Sequence, residues 1–223
     1  MMTAAEARYP LWDLPVRVSH WLIALCLPAA WWTAEEGHLE LHAWIGYTVL
    51  TLVLARLAWG VFGSPQARFA DFLRGPGAII AYLREGRRDT PGHNPLGGWS
   101  AMLLWSLLLV QALTGLYNSD GILFDGPLYH AADEAVTDKL GAVHGWLFNG
   151  ILAFVGLHVA AVLFYQWRRG EQLLVPMVRG SAPGRVGTGP AAPLWRALLI
   201  LDLVALALLA IFAAAPEPVS SWW

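Results

Sequence analysis

The chain has a single cysteine, Cys26, inside an apolar run. That excludes an internal disulfide, a CxxC pair for zinc or iron–sulfur, and the CxxCH attachment of covalent haem. HExxH and a glycine-rich phosphate loop are also missing, which removes zinc-hydrolase and P-loop chemistry. Charge is scarce as well: 13% of residues are charged, about half the share found in soluble domains. The formal net charge is -2, so the balance gives no pull toward nucleic acid. What the chain does have is apolar surface, 57% of 223 residues, and thirteen tryptophans. This composition describes one domain over 1–223, embedded in membrane lipid.

A helix crossing the hydrocarbon core needs ~20 mostly apolar residues. Five stretches qualify, at about 15–33, 42–62, 99–118, 142–167 and 194–214. The expected fold is an all-α transmembrane bundle of five helices. The first stretch ends in Trp31-Trp32-Thr33 rather than in small residues, so it reads as a span and not as a cleaved leader. Arginines mark one side: Arg8 and Arg17 before or early in the first span, Arg68, Arg74, Arg84, Arg87 and Arg88 between the second and third, and Arg168, Arg169, Arg179, Arg185 and Arg196 around the fourth-to-fifth connection. The other side carries Lys139 among Glu35, Glu36, Glu40, Asp120, Asp125, Asp133, Glu134, Asp138 and Glu217. The positive-inside rule then predicts a cytoplasmic N-terminus and a C-terminus on the outer side of the membrane. Trp12, Trp31, Trp32, Trp44, Trp99, Trp146, Trp167, Trp195, Trp222 and Trp223 lie near span ends, as interfacial anchors do. "RGPGAIIAYLREGRR" predicts a short helix on the inner surface through Ile79, Ile80 and Leu83. "TPGHNPLGG" reads as turn chemistry, and residues 181–193 as a linker.

Of seven histidines, His38, His93 and His130 fall in loops and read as solvated or turn-capping side chains. His20, His42, His144 and His158 fall in or at the edges of spans, where an ionisable group needs a reason. His144 and His158 are fourteen residues apart, which returns a helix to within ~40° of the same face and advances it by ~21 Å. That is too far for one zinc site and too far for a proton hand-over. It suits two separate centres, each completed from another helix. By depth, His20 matches His158 in the inner half and His42 matches His144 in the outer half. Two imidazoles on one iron, with a macrocycle in the equatorial plane, describe b-type haem. Ordinary interhelical hydrogen bonding is the competing account. Gly46, Gly145, Gly150 and Gly156 near these histidines allow a flat ring, or simply another helix, to come close.

Arg56 follows His42 by fourteen residues and so falls on nearly the same face, at the inner haem's level, where a haem propionate is its expected partner. Arg17, one turn before His20, is a second propionate candidate and equally an inside anchor. Asp202 in the fifth span admits three readings: neutral, paired with Arg56, or carrying protons to a quinone.

"YPLWDLPVRVSHWLIAL", "LHAWIGYTVLTLVLARLAWGVFGSPQARFADFLRGP", "GHNPLGGW" and the H-x13-H of the fourth span resemble the bacterial cytochrome b561 family, which includes the b-type cytochrome subunits of nickel hydrogenases. The resemblance covers nearly all of 9–180. It implies a four-helix core with two haems b on His20, His42, His144 and His158, and electron exchange between a quinone pool and a partner. The fifth span looks like the hydrogenase-type branch. Members serve hydrogenase, formate dehydrogenase and thiosulfate reductase, so the partner does not transfer with the fold. Two roles stay open. One is an electron-transfer module between quinone and a periplasmic c-type cytochrome or hydrogenase-like protein. The other is a stand-alone superoxide:quinone oxidoreductase. The acidic outer loops would repel superoxide and attract a basic protein, which favours the first.

Overall fold

A computed structural model describes residues 9–85 and 92–216. Arg8, Arg87, Arg88, Glu217, Trp222 and Trp223, used above for sidedness and anchoring, lie outside the described residues. The described residues form eight α-helices and no strand. They are α1 (Leu14–Glu35), α2 (Leu39–Phe62), α3 (Phe69–Phe72), α4 (Pro76–Glu85), α5 (Pro95–Gly115), α6 (Glu134–Arg168), α7 (Leu174–Arg179) and α8 (Leu194–Ala213). Among them α1, α2, α5, α6 and α8 are long and apolar enough to cross a membrane. The chain is all-helical, with five candidate spans.

Two helix starts differ from expectation. Residues 95–98, read as turn, are the first turn of α5. Asn94 caps it by accepting the Gly97 N–H at 2.7 Å, and Pro95 sits at the first helical position, where a missing N–H costs nothing. α6 starts at Glu134, well before residue 142, and runs for 35 residues, or about 52 Å. Hydropathy sees the hydrocarbon-compatible part of a helix and not its polar extension into water, here "EAVTDKLG".

The chain divides into two compact units, each gathered from three stretches. The first comprises the described parts of Met1–His20, Arg56–Leu103 and Gly156–Leu198. Its organising group is Asp13, only 5% exposed. One carboxylate oxygen caps α1 by accepting the Val16 N–H at 2.9 Å, and the other accepts the Trp59 indole N–H at 2.8 Å. The backbone N–H groups of Leu11 and Trp12 donate to the Gly180 carbonyl. Trp12 is buried here and is no interfacial anchor, unlike Trp31, Trp44, Trp146, Trp167 and Trp195, which stay exposed. The linker after α7 is not loose. Gly187 donates its N–H to the Tyr9 carbonyl, Ala192 donates to Ser64 Oγ, and Gln66 Nε2 donates to Thr188 Oγ1. A Cβ on Gly187 would strike the Pro10 carbonyl, so the crossing needs glycine. α4 turns Ile80 and Leu83 outward, as a surface helix should. It is tied to α6 by the Tyr82 and Tyr165 hydroxyls, 2.8 Å apart. Burial, then that bond, holds the Tyr82 phenol above the usual tyrosine range.

The second unit comprises Trp21–Ala55, Leu104–Val155 and the described part of Leu199–Trp223. Leu50, Leu116 and Leu208 form its buried cluster, with Tyr47, Leu54, Val204 and Phe212 packed around it. Val204, Leu208 and Phe212 recur every fourth residue, the spacing that lays one stripe of α8 against a neighbour.

Candidate functional site

In the second unit, α2 carries His42 and α6 carries His144, with ring centres 6.1 Å apart and planes at 81°. The His42 Nδ1 lies 2.8 Å from the Ala30 carbonyl, and the His144 Nδ1 lies 2.9 Å from the Gln111 carbonyl. A carbonyl oxygen can only accept, so each Nδ1 holds the proton and each Nε2 keeps its lone pair. Both carbonyls also accept a hydroxyl three residues on, from Thr33 and from Thr114, each at 3.0 Å. The two threonines are buried. Gly115 makes room for the ring of His144: a Cβ there would stand 2.8 Å from His144 Cε1. In the first unit, α1 carries His20 and α6 carries His158, with ring centres 6.4 Å apart and planes at 54°.

Two metal–imidazole bonds of ~2 Å, with each ring centre set back a further ~1 Å or so from its nitrogen, put two clamping rings roughly 6 Å apart centre to centre. Both pairs have this separation. Among the described residues no three His, Cys, Asp or Glu side chains gather as a bare metal site requires. An iron held by two imidazoles takes its other donors from a macrocycle. The helix faces near these histidines are not closed off: a Cβ on Gly46, Gly145, Gly150 or Gly156 would meet nothing within 4 Å. The residues fit haem.

The family comparison agrees, with the model of prokaryotic cytochrome b561 matching residues 11–180. The chain belongs to the prokaryotic cytochrome b561 family. It is a multi-pass membrane protein that binds b-type haem and works in electron transfer. No curated protein and no solved structure matches it.

Other groups around this cytochrome's histidines differ in standing. Arg56 is 4% exposed and donates to the Ala67 carbonyl over long distances, 3.4 and 3.5 Å, with the Asp13 charge nearby. Arg17 donates through Nη1 to the Val178 carbonyl at 2.7 Å and keeps a buried Nε with no hydrogen-bond partner. Asp202 is exposed on α8.

His93 corrects the expectation of a solvated loop histidine. Its ring packs 4.7 Å from Trp12 and 4.8 Å from Phe72, and its Nδ1 is buried with no hydrogen-bond partner. Burial first, then the Arg56 charge, pushes its pKa down to about 3, so the imidazole is neutral at physiological pH. It borders a cavity of about 180 Å³ together with Gln66, Asp71, Arg74 and Thr188. His130 instead lies on the surface beside Asp125, 3.1 Å away, and the His38 ring lies 5.9 Å from that of Trp32.

Sequence alone had no signal for the Ala30 and Gln111 carbonyls, since every residue has a carbonyl. Asp13 was legible in principle, as an acid immediately before an apolar helix. One outcome follows directly. Gly115→Val pushes the His144 ring off its position, so if His42 and His144 hold a haem, the purified protein loses it while any haem on His20 and His158 keeps its absorption. A haem assay with low-temperature optical spectra reads this.

Proposed function

We propose that this cytochrome holds two haems b and carries electrons across the bacterial inner membrane, between the quinone pool and a periplasmic redox protein of c-type cytochrome or hydrogenase-like kind. The observation that supports the reading is one facing pair of imidazole rings in each compact unit. Haem b would supply one-electron chemistry when bound, with His20, His42, His144 and His158 as the residues that would hold it.

The chain's own residues do the rest. His20 and His158 hold the cytoplasmic-side group; His42 and His144 hold the periplasmic-side group. The Ala30 and Gln111 carbonyls fix the tautomer of the second pair and raise its basicity. Arg56 and Arg17 are the cations proposed to take propionates. The cavity at His93 is the proposed seat of the quinone headgroup. A neutral imidazole can donate a hydrogen bond to a quinone carbonyl or accept one from a quinol hydroxyl, and Gln66 and Thr188 add polar edges. The arginine-rich side is taken as cytoplasmic.

The stand-alone superoxide:quinone oxidoreductase is disfavoured by the exposed acids of the opposite side, which repel an anion. The test is a pyridine haemochrome assay on purified protein, followed by reoxidation of the quinol-reduced protein by a basic cytochrome c at rising salt. Two haems per chain and rates that fall with ionic strength are expected. One haem per chain, or rates indifferent to salt, would overturn the scheme.

A further inference from the structure

The connection from α5 to α6 is built as a rigid finger. The Asp120 Oδ1 accepts the N–H groups of Ile122, Leu123 and Phe124, each at 2.9 Å, and the Asp120 N–H donates to the Phe124 carbonyl. Those bonds hold the Asp120 carboxyl below the usual carboxylate range, so its charge persists in mild acid. Gly126 donates to the Asn118 carbonyl and Leu128 to the Leu116 carbonyl. The finger is thereby fastened to the stretch just after Thr114 and Gly115, the residues that touch His144.

At its tip the finger carries two aliphatic side chains, Ile122 at 83% and Leu123 at 93% exposure. Exposed apolar residues on the spanning helices have lipid to cover them. These two stand on a loop outside the candidate spans, on a backbone fastened in place. The exposed charge of the same unit is almost all of one sign: Glu35, Glu36, Glu40, Asp120, Asp125, Asp133, Glu134 and Asp138 against Lys139. An apolar tip within an acidic surround suits a basic protein surface with an apolar centre. It suits a bilayer poorly, because anionic headgroups repel the acids that would have to approach with the tip.

We propose that Ile122 and Leu123 are the apolar anchor on which a soluble, basic redox protein docks, with the surrounding carboxylates steering it to the His42–His144 end. This rests on the electron-transfer reading above and adds to it the place of docking and the surface chemistry of the partner. A fastened tip loses little freedom on binding, and burying two aliphatic side chains is worth enough to change affinity by on the order of tenfold or more.

The experiment uses the haem-loaded protein in phosphatidylcholine nanodiscs and a basic mitochondrial-type cytochrome c as probe. The readout is the Kd at low and raised salt, for the natural chain and for the double variant Ile122→Ser/Leu123→Ser. The expected result is a Kd at least about tenfold higher in the variant at each salt level, with haem content and spectra unchanged and the salt dependence kept. A variant that binds as well as the natural chain overturns the anchor while leaving the electron-transfer reading standing. A natural chain that carries both haems and binds no cytochrome c overturns the basic partner and the anchor together. A nitroxide at Leu123→Cys, with Cys26→Ala, should be relaxed by a water-soluble nickel complex. Relaxation by lipid-dissolved oxygen instead puts the tip in the bilayer and overturns docking.

Discussion

Replacing His158 with alanine takes one haem from the purified protein and leaves the other with unaltered absorption. His144→Ala does the same to the opposite site. The expectation follows from the two-haem proposal, in which His20 and His158 of one compact unit hold one group and His42 and His144 of the other unit hold the second. If His20 and His158 hold a haem, a methyl group cannot replace the lost nitrogen, and the single imidazole that is left would not keep the group through purification. The haemochrome ratio should fall from two to one per chain in each variant. Added imidazole should restore part of the low-spin spectrum in glycine versions, because a free ring can enter the space the side chain left. Restoration separates loss of a ligand from loss of the fold. If His158→Ala keeps both haems unchanged, the assignment of that pair is wrong.

Asp13→Ala is expected to give a large loss of stability. The carboxylate performs two tasks in a place where water does not compete. Losing the cap on α1 costs about 1 kcal/mol, and leaving the Trp59 indole N–H buried without an acceptor costs ~1–3 kcal/mol more. Removing a negative charge close to the buried Arg56 adds in the same direction. A total of roughly 3 kcal/mol corresponds to a fall of on the order of 5–10 °C in the midpoint of thermal haem loss. Asp13→Asn keeps a side-chain oxygen for one of the two donors and should recover about half of that fall. A midpoint for Asp13→Ala within a degree or so of the natural chain would show that the interaction with Trp59 contributes little.

The spans were readable because a hydrocarbon core imposes its requirement on every residue of a helix at once, and five apolar runs of that length stand out against a chain with little charge. The ends of the helices were less readable. Asn94 and Pro95 look like a turn until Asn94 is seen capping α5. The first residues of α6 are polar, and hydropathy passes over them. Histidine depth, counted along each helix, grouped His20 with His158 and His42 with His144, and those are the rings that lie 6.4 and 6.1 Å apart. Their standing as iron ligands is the proposal that the haem assay decides. His93 misled because a loop position says nothing about whether Trp12 and Phe72 close over it.

The sequence by itself determined a membrane-spanning helical protein, its charge asymmetry and the helices on which its histidines stand. These depend on composition and on spacing along one helix, and both are properties of a linear string. Tertiary structure alone decided which carbonyls hold the Nδ1 protons of His42 and His144, that Asp13 joins α1 to Trp59, that Asp202 stays exposed, and that Ile122 and Leu123 are held outward. Each of those depends on a contact between residues far apart in the chain or on the path of a loop, and hydrogen bonds of ~3 Å are decided by geometry that no periodicity encodes.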